Sequence, residues 1–288
     1  LRVRLQEAAL RAREVDLKKH LAEAEFIRLS GGDVYLKTGE PEADTAATAP
    51  LNWKFTVGDI GLQQLNYRME GADLPFLGAG LEAGRLIKGE VDLGRQSVDA
   101  DSLHITGAWC NLITADTDSL KKEQTELVDT LGSVPWTIQA AALQLDNGAF
   151  SMGDRQGKTT ELLLSGIGVK IDSVYNRGTV VRARLKDLTA IQQGGVAITS
   201  MQAGITLDSA ETALSGVFIR TVNSWLRAEI SADTSMQELF QRVPLSVVLN
   251  GRIGLQDVVP YFADIPEQIR NRQVDLNTAL SVTGKRIQ

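Results

Sequence analysis

Two histidines and one cysteine are all that the 288 residues offer for metal binding or nucleophilic catalysis beyond carboxylates and hydroxyls. His20 and His104 stand at no metal-ligand spacing from each other, from Cys110 or from a carboxylate cluster. His104 lies between Leu103 and Ile105, which puts it on the polar face of a strand. Cys110, flanked by Trp109 and Asn111, reads as a small core residue, and as the single cysteine it closes no disulfide within the chain. Asp99 and Asp101 are spaced to share one strand face, as a pair of glycosidase carboxylates could. They alternate with Val98 and Ala100, however, and so read as the wet side of that strand. Glu123 and Glu126 fall on the solvated face of an expected helix. No Gly-x-Ser-x-Gly elbow and no phosphate loop is present. Gly78-Ala79-Gly80 and Gly166-Ile167-Gly168 lack the strand-then-helix context of a dinucleotide fingerprint. The expectation is a protein without catalytic residues, metal or cofactor.

The elements around these residues are strands. Leu226, Ala228, Ile230 and Ala232 alternate with polar residues, as do Leu245, Val247 and Leu249, and Val274, Leu276, Thr278, Leu280 and Val282. Many of the 26 glycines stand between or within such runs, Gly31-Gly32 and Gly194-Gly195 among them, as turn and bulge punctuation. Helical signals are few: Asp118 to Leu131, Ser235 to Arg242, and one or two turns between Leu255 and Asn271 interrupted by Pro260 and Pro266. Lys37 to Pro50 has the composition of a loop. The composition, 43% hydrophobic, is that of a chain with ample core material, not of a disordered tail. A net charge of −6 argues against nucleic acid and against a generally basic surface for anionic headgroups. No run of about 18 apolar residues is available to span a bilayer as a helix. The chain opens at Leu1 inside a pattern, so it is expected to be a piece of a longer protein.

Two internal matches organise the N-terminal half. Glu14-Val15-Asp16-Leu17 recurs as Glu90-Val91-Asp92-Leu93, and the same register pairs Ile27 with Leu103, Leu29 with Ile105 and Gly31 with Gly107. Trp53 recurs as Trp136, and that register pairs Phe55 with Ile138, Ile60 with Leu143, Tyr67 with Phe150 and Met69 with Met152. A looser echo runs through Leu188, Ile191 and Gly195. A repeated strand unit cannot bury its apolar face alone, but stacked copies can in a sheet that grows by repetition.

The stretch Ala47-Thr48-Ala49-Pro50-Leu51-Asn52-Trp53-Lys54, with the alternation that follows it to Tyr67, resembles TamB/AsmA-like proteins of the Bacteroidetes type. So do Val91 to Gln96, Val134-Pro135-Trp136 leading to Leu145-Asp146-Asn147-Gly148, and Gly251-Arg252-Ile253 running into Leu255 to Val258. The resemblance covers nearly the whole chain. It implies an all-β fold: an elongated, curled antiparallel sheet forming an open groove, built from repeats, with a few short helices. The expected division is a first β region over 1–112, a connecting helix over 113–133 and a second β region over 134–288 continuing the same sheet. The resemblance further implies a periplasmic segment anchored to the inner membrane from outside this chain. Its partners would be phospholipid acyl chains and, through other regions, an outer-membrane barrel protein related to TamA. The residues expected to line the groove, because they alternate on one strand face, are Trp53, Phe55, Val57, Trp136, Ile138, Ala140, Leu226, Ala228 and Ile230. Bare sheet edges predict a dimer of the isolated chain. The rival readings are a β-sandwich or adhesin-like binding module, and a structural spacer, each with a sealed core.

Overall fold

Along Phe55, Val57, Ile60, Leu62, Leu65, Tyr67 and Met69 the apolar positions advance by two, with two steps of three. Ile138, Ala140, Leu143, Leu145, Phe150 and Met152 follow the same rhythm. In a strictly alternating strand each step of three would throw the following apolar residues onto the opposite face. One extra residue at each step restores the face, and where neighbouring strands both carry it, as a bulge common to the two, the register between them is kept.

The computed structural model describes residues 2–38, 52–71, 76–114, 136–154, 160–208, 210–232, 234, 244–262, 265–283 and 286–287. The fold is all-β and mostly antiparallel. The described residues fall into two units, Leu1–Leu163 and Leu164–Gln288.

The first unit holds β1 (Arg2–Asp16), β2 (Leu21–Thr38), β3 (Lys54–Gly71), β4 (Phe76–Asp92), β5 (Ser97–Thr106), β6 (Trp109–Thr114) and β7 (Thr137–Asp154). Their order in the sheet is β1-β2-β3-β4-β5-β7. β6 continues from the end of β5 and, like β5, pairs with β4 on one side and β7 on the other, so the four strands close a ring of pairings. β2 runs parallel to β3, and β5 and β6 run parallel to β7, where an all-antiparallel sheet was expected. Parallel neighbours require a long crossover, and in both cases the chain between them is long enough to make one.

The sequence repeats are repeats of geometry. The β1–β2 and β4–β5 hairpins both turn on an aspartate, Asp16 or Asp92, whose Oδ1 accepts backbone N–H bonds at 2.8 to 3.0 Å from Lys18 and Lys19 or from Arg95. Both turns close on a residue at φ 52°, His20 and Gln96. The carbonyls of those two residues accept from the first residues of β3 and β7, Lys54 and Thr137, each at 2.8 Å. The bulges repeat as well: Gly31 and Gly107 have φ 59° and 62°, Gln64 and Asn147 φ 50° and 55°. Gly31 and Gly107 thus mark bulges, one of the two roles expected of such glycines. The residues left out of the pairing line up across the sheet, as Gln6, Gly31, Gln64 and Glu82 do. The bulges therefore form transverse seams, and each seam corrects the face of all its strands together.

Gly107 combines left-handed backbone with close contact, since an added Cβ would fall 2.4 Å from Cδ of Glu82. Glu82 can swing away, but a β-branched side chain cannot relax at this φ. Gly107→Val is expected to lower stability by about 1–3 kcal/mol, measured as a lower urea midpoint with an unchanged slope.

The second unit is an antiparallel meander. It runs from β8 (Thr160–Arg177, of which the part from Leu164 lies here) through β9 (Val180–Gln192), β10 (Ala197–Leu207), β11 (Thr212–Thr221), β12 (Trp225–Ala232), β13 (Pro244–Gly254) and β14 (Gln273–Thr283) to β15 (Arg286–Ile287). Between β13 and β14 the chain makes a short helix, α1 (Leu255–Val258), and 3-10 turns at Val259–Tyr261 and Glu267–Ile269, with Pro260 and Pro266 where helix was expected to break. Of the expected loop, Lys37 and Thr38 belong to β2. The rest of it, most of the expected connecting helix 113–133 and the helix expected from Ser235 to Arg242 lie outside the described residues; Ile113 and Thr114 end β6.

Burial is shallow. Among the described residues no large side chain is fully buried, and the buried apolar residues are seven alanines and Val217. This is what a single sheet layer produces: lateral neighbours bury a methyl group, but only a facing layer buries a leucine or phenylalanine.

Candidate functional site: an open apolar sheet face

The bulge seams leave one face of the first unit apolar in unbroken transverse rows. One row reads Leu10, Ile27, Ile60, Leu86, Leu103 and Leu143 across β1, β2, β3, β4, β5 and β7. The row nearer the hairpin turns reads Val15, Ala22, Phe55, Val91, Val98 and Ile138. Between them lie Ala12, Ala24, Val57, Gly89, Ala100 and Ala140. Phe55, Val57, Ile138 and Ala140 are therefore brought together as expected. Trp53 stacks on Phe55 with ring centroids 5.9 Å apart, and the tilted His20 ring lies 5.7 Å from Trp53. Trp136 holds the equivalent place ahead of β7.

In the second unit Leu226, Ala228 and Ile230 share one face of β12. Ile230 belongs to a row of seven: Val174, Ala183, Ile205, Leu214, Ile230, Val247 and Leu280. Ala228 lies deeper, in a cluster with Ala203 and Val217 beneath Leu185, Leu214, Ile219 and Leu249.

Exposure sets two of the nine expected residues at the surface and two on the floor, with Trp53, Val57, Trp136, Leu226 and Ile230 between them. Phe55 and Ile138 are 42% and 44% exposed, whereas Ala140 and Ala228 are 7% and 6% exposed. Within either unit, a long apolar ligand on the apolar face would touch the exposed side chains and rest above the buried alanines. The rows through Leu86, Leu103 and Leu143 escaped sequence reasoning, because strict alternation does not carry past a bulge. The signal that would have found them is the step of three recurring at the same place in successive strands.

The opposite face is charged and internally paired. Asp59 bridges Arg28 and Arg85 at 2.6 and 3.2 Å. Burial pushes the Asp59 carboxyl up, but the hydrogen bonds and charges of the two guanidiniums outweigh it and hold the group below its ordinary value. Lys88 pairs with Asp101 at 2.7 Å, and His104 Nε2 with Asp146 at 2.6 Å. Asp99 and His104 are exposed on this face, as expected. Cys110 lies on the apolar face between Ala79 and Phe150, and burial pushes its thiol up, away from the reactive thiolate. Among the described residues no group of three His, Cys, Asp or Glu side chains could hold a metal ion.

One carboxylate holds the second unit's strand ends in place. Asp257, on α1, accepts from Thr221 Oγ1 and Ser224 Oγ at 2.5 Å each and from Asn223 Nδ2 at 2.8 Å, which ties the helix to the β11–β12 turn. Burial raises this carboxyl, and the hydrogen bonds from Ser224, Thr221 and Asn223 outweigh burial and lower it. A folded value below the unfolded one means that stability is present above the unfolded pKa and lost as pH falls through the folded one. Asp257→Ala is expected to cost about 1–3 kcal/mol at neutral pH, because three donors lose their acceptor. The urea midpoints of variant and parent should converge as the pH falls below the ordinary carboxylate range.

No family model and no curated protein sequence matches the chain.

Proposed function

We propose that the apolar face binds lipid acyl chains, and that the chain is a periplasmic segment of an inner-membrane-anchored envelope protein of TamB/AsmA-like kind. In that role it would carry phospholipid toward the outer membrane, or serve protein assembly there with a TamA-related barrel partner engaged by other regions. The observation behind this reading is the unbroken transverse apolar rows, in which no large side chain is fully buried and Leu10, Val15, Phe55 and Ile138 are exposed.

The energetics suit such a role. An acyl chain leaving water gains about 0.8 kcal/mol per buried methylene, so a tail of about fifteen carbons gains on the order of 10 kcal/mol if fully covered. A half-covered tail gains roughly half of that, enough to hold it and little enough to let it move on. Continuity is the requirement for passage, and six-membered and seven-membered apolar rows supply it. The shallow burial speaks for this reading over a sandwich or spacer with a sealed core, in which large side chains would be fully covered.

Native mass spectrometry of the purified chain, with lipid extraction alongside, tests the reading. Co-purified phospholipid is the expected result. A clean apo mass, together with failure to take up a fluorescent fatty acid, would sink it in favour of the spacer.

A further inference from the structure

The charged face carries the aromatic residues Phe26, Tyr35, Phe76 and Trp109, of which Trp109 is the most exposed and has no part in the lipid reading. Trp109 lies on it, 41% exposed, in the row Arg4, Asp33, Asn66, Gly80, Trp109. Its indole is laid down over β4: a Cβ on Gly80 would fall 2.5 Å from Nε1, and one on Gly78 would lie 3.3 Å from Cζ3. Two glycines in succession along that face let the ring lie low against the strand. Its N–H donates no hydrogen bond to any described residue.

The neighbouring row reads Arg2, Tyr35, Arg68, Gly78. Arg2, Arg4 and Arg68 form no ion pair among the described residues, the Arg68 guanidinium lying 6.0 Å from the Phe76 ring centroid, whereas Arg28 and Arg85 on this face are both bound to Asp59. Beside them, Asn66 Nδ2 donates to Asp33 at 3.2 Å and the Tyr35 hydroxyl to Glu70 at 3.0 Å. These side chains line a trough of about 720 Å³ with Trp109 at one end. From β6 to β1 it crosses four strand spacings, roughly 19 Å.

We infer that this trough binds an oligosaccharide bearing a carboxylate or phosphate group, with one sugar ring stacked on Trp109. The indole offers an apolar plane with a polar edge, which suits a ring that is apolar on its C–H face and polar at its rim. Asn66 and Asp33 supply acceptors and donors at the height of the hydroxyls. The three guanidiniums meet the anionic group, in the fork geometry that carboxylate and phosphate take. Asp33 and Glu70 disfavour a phosphate polymer, and the chain's net charge of −6 does the same. The ligand is therefore rich in hydroxyls and carries isolated negative charge.

Isothermal titration calorimetry with three probes tests this: a hyaluronan tetrasaccharide alternating glucuronate and N-acetylglucosamine, neutral maltotetraose, and adenosine monophosphate. The acidic tetrasaccharide should bind and quench tryptophan fluorescence, with maltotetraose weaker by about tenfold or more. Trp109→Leu should weaken the acidic sugar by about tenfold or more. Because Trp109→Leu also uncovers backbone and could unfold the unit, the exposed double substitution Arg4→Gln with Arg68→Gln gives an independent arm; it should reduce the acidic sugar to the neutral one's affinity. Absence of binding at about ten millimolar ligand, where a Kd near 10 mM corresponds to only ~3 kcal/mol, would overturn the inference. So would tighter binding of adenosine monophosphate than of the tetrasaccharide, or unchanged binding in a folded Arg4→Gln, Arg68→Gln protein.

Discussion

Ile138→Asp should leave the protein folded and strip it of lipid. Ile138 ends the row Val15, Ala22, Phe55, Val91, Val98, Ile138 and is 44% exposed. A carboxylate there reaches water, so the cost to folding is that of an ordinary surface substitution, about 0.5 kcal/mol. The cost to an acyl chain is different. A methylene chain crossing β7 would have to cover that charge or detour around it, and desolvating an unpaired carboxylate costs several kcal/mol. Against a gain of about 0.8 kcal/mol for each methylene covered, one such charge cancels several carbons of contact. Lipid occupancy in native mass spectra should fall by about tenfold or more, with the urea midpoint nearly unmoved. Full occupancy in a folded Ile138→Asp protein would remove β7 from the lipid path.

Ala228→Asp carries the opposite expectation. Ala228 is 6% exposed and packs in the cluster of Ala203 and Val217, with Leu249 and Leu214 over it. An aspartate there has no cation beside it on the apolar face and is too short to reach solvent past those leucines. An uncompensated buried charge costs about 3–5 kcal/mol, so the second unit should lose its cooperative unfolding transition or melt far below the parent. Circular dichroism against temperature reads this directly. A parent-like melt would mean that the face around β12 is wet, and the lipid reading would lose its second-unit surface. The same substitution on the apolar face of each unit thus separates surface from floor: one removes the ligand, the other the fold.

Most of the fold class was legible in the sequence. Alternation at Leu226 to Ala232 and Leu245 to Leu249 became β12 and β13, and the proline-interrupted turns after Leu255 appeared where expected. The self-matches at Glu14 and Trp53 were geometric repeats, because the hairpin aspartates, the left-handed glycines and the parallel entry of β3 and β7 all recur in register. Of the expected lining, Phe55, Val57, Ile138 and Ala140 share a face because each pair lies within a stretch free of bulges.

What the sequence determined by itself was the period of the pattern and its repetition, since side-chain alternation is a local property of any extended backbone. Three things were decided only by the tertiary structure. The parallel pairings depend on where a crossover returns the chain, which no local pattern encodes. The transverse rows through Leu86 and Leu103 depend on bulges lining up across neighbouring strands, so that a step of three in one strand meets a step of three in the next. Whether a residue is surface or floor depends on the height of its cross-strand neighbours: Ile138 stands in a row with valines, Ala228 lies beneath leucines, and an isolated strand holds no record of that difference.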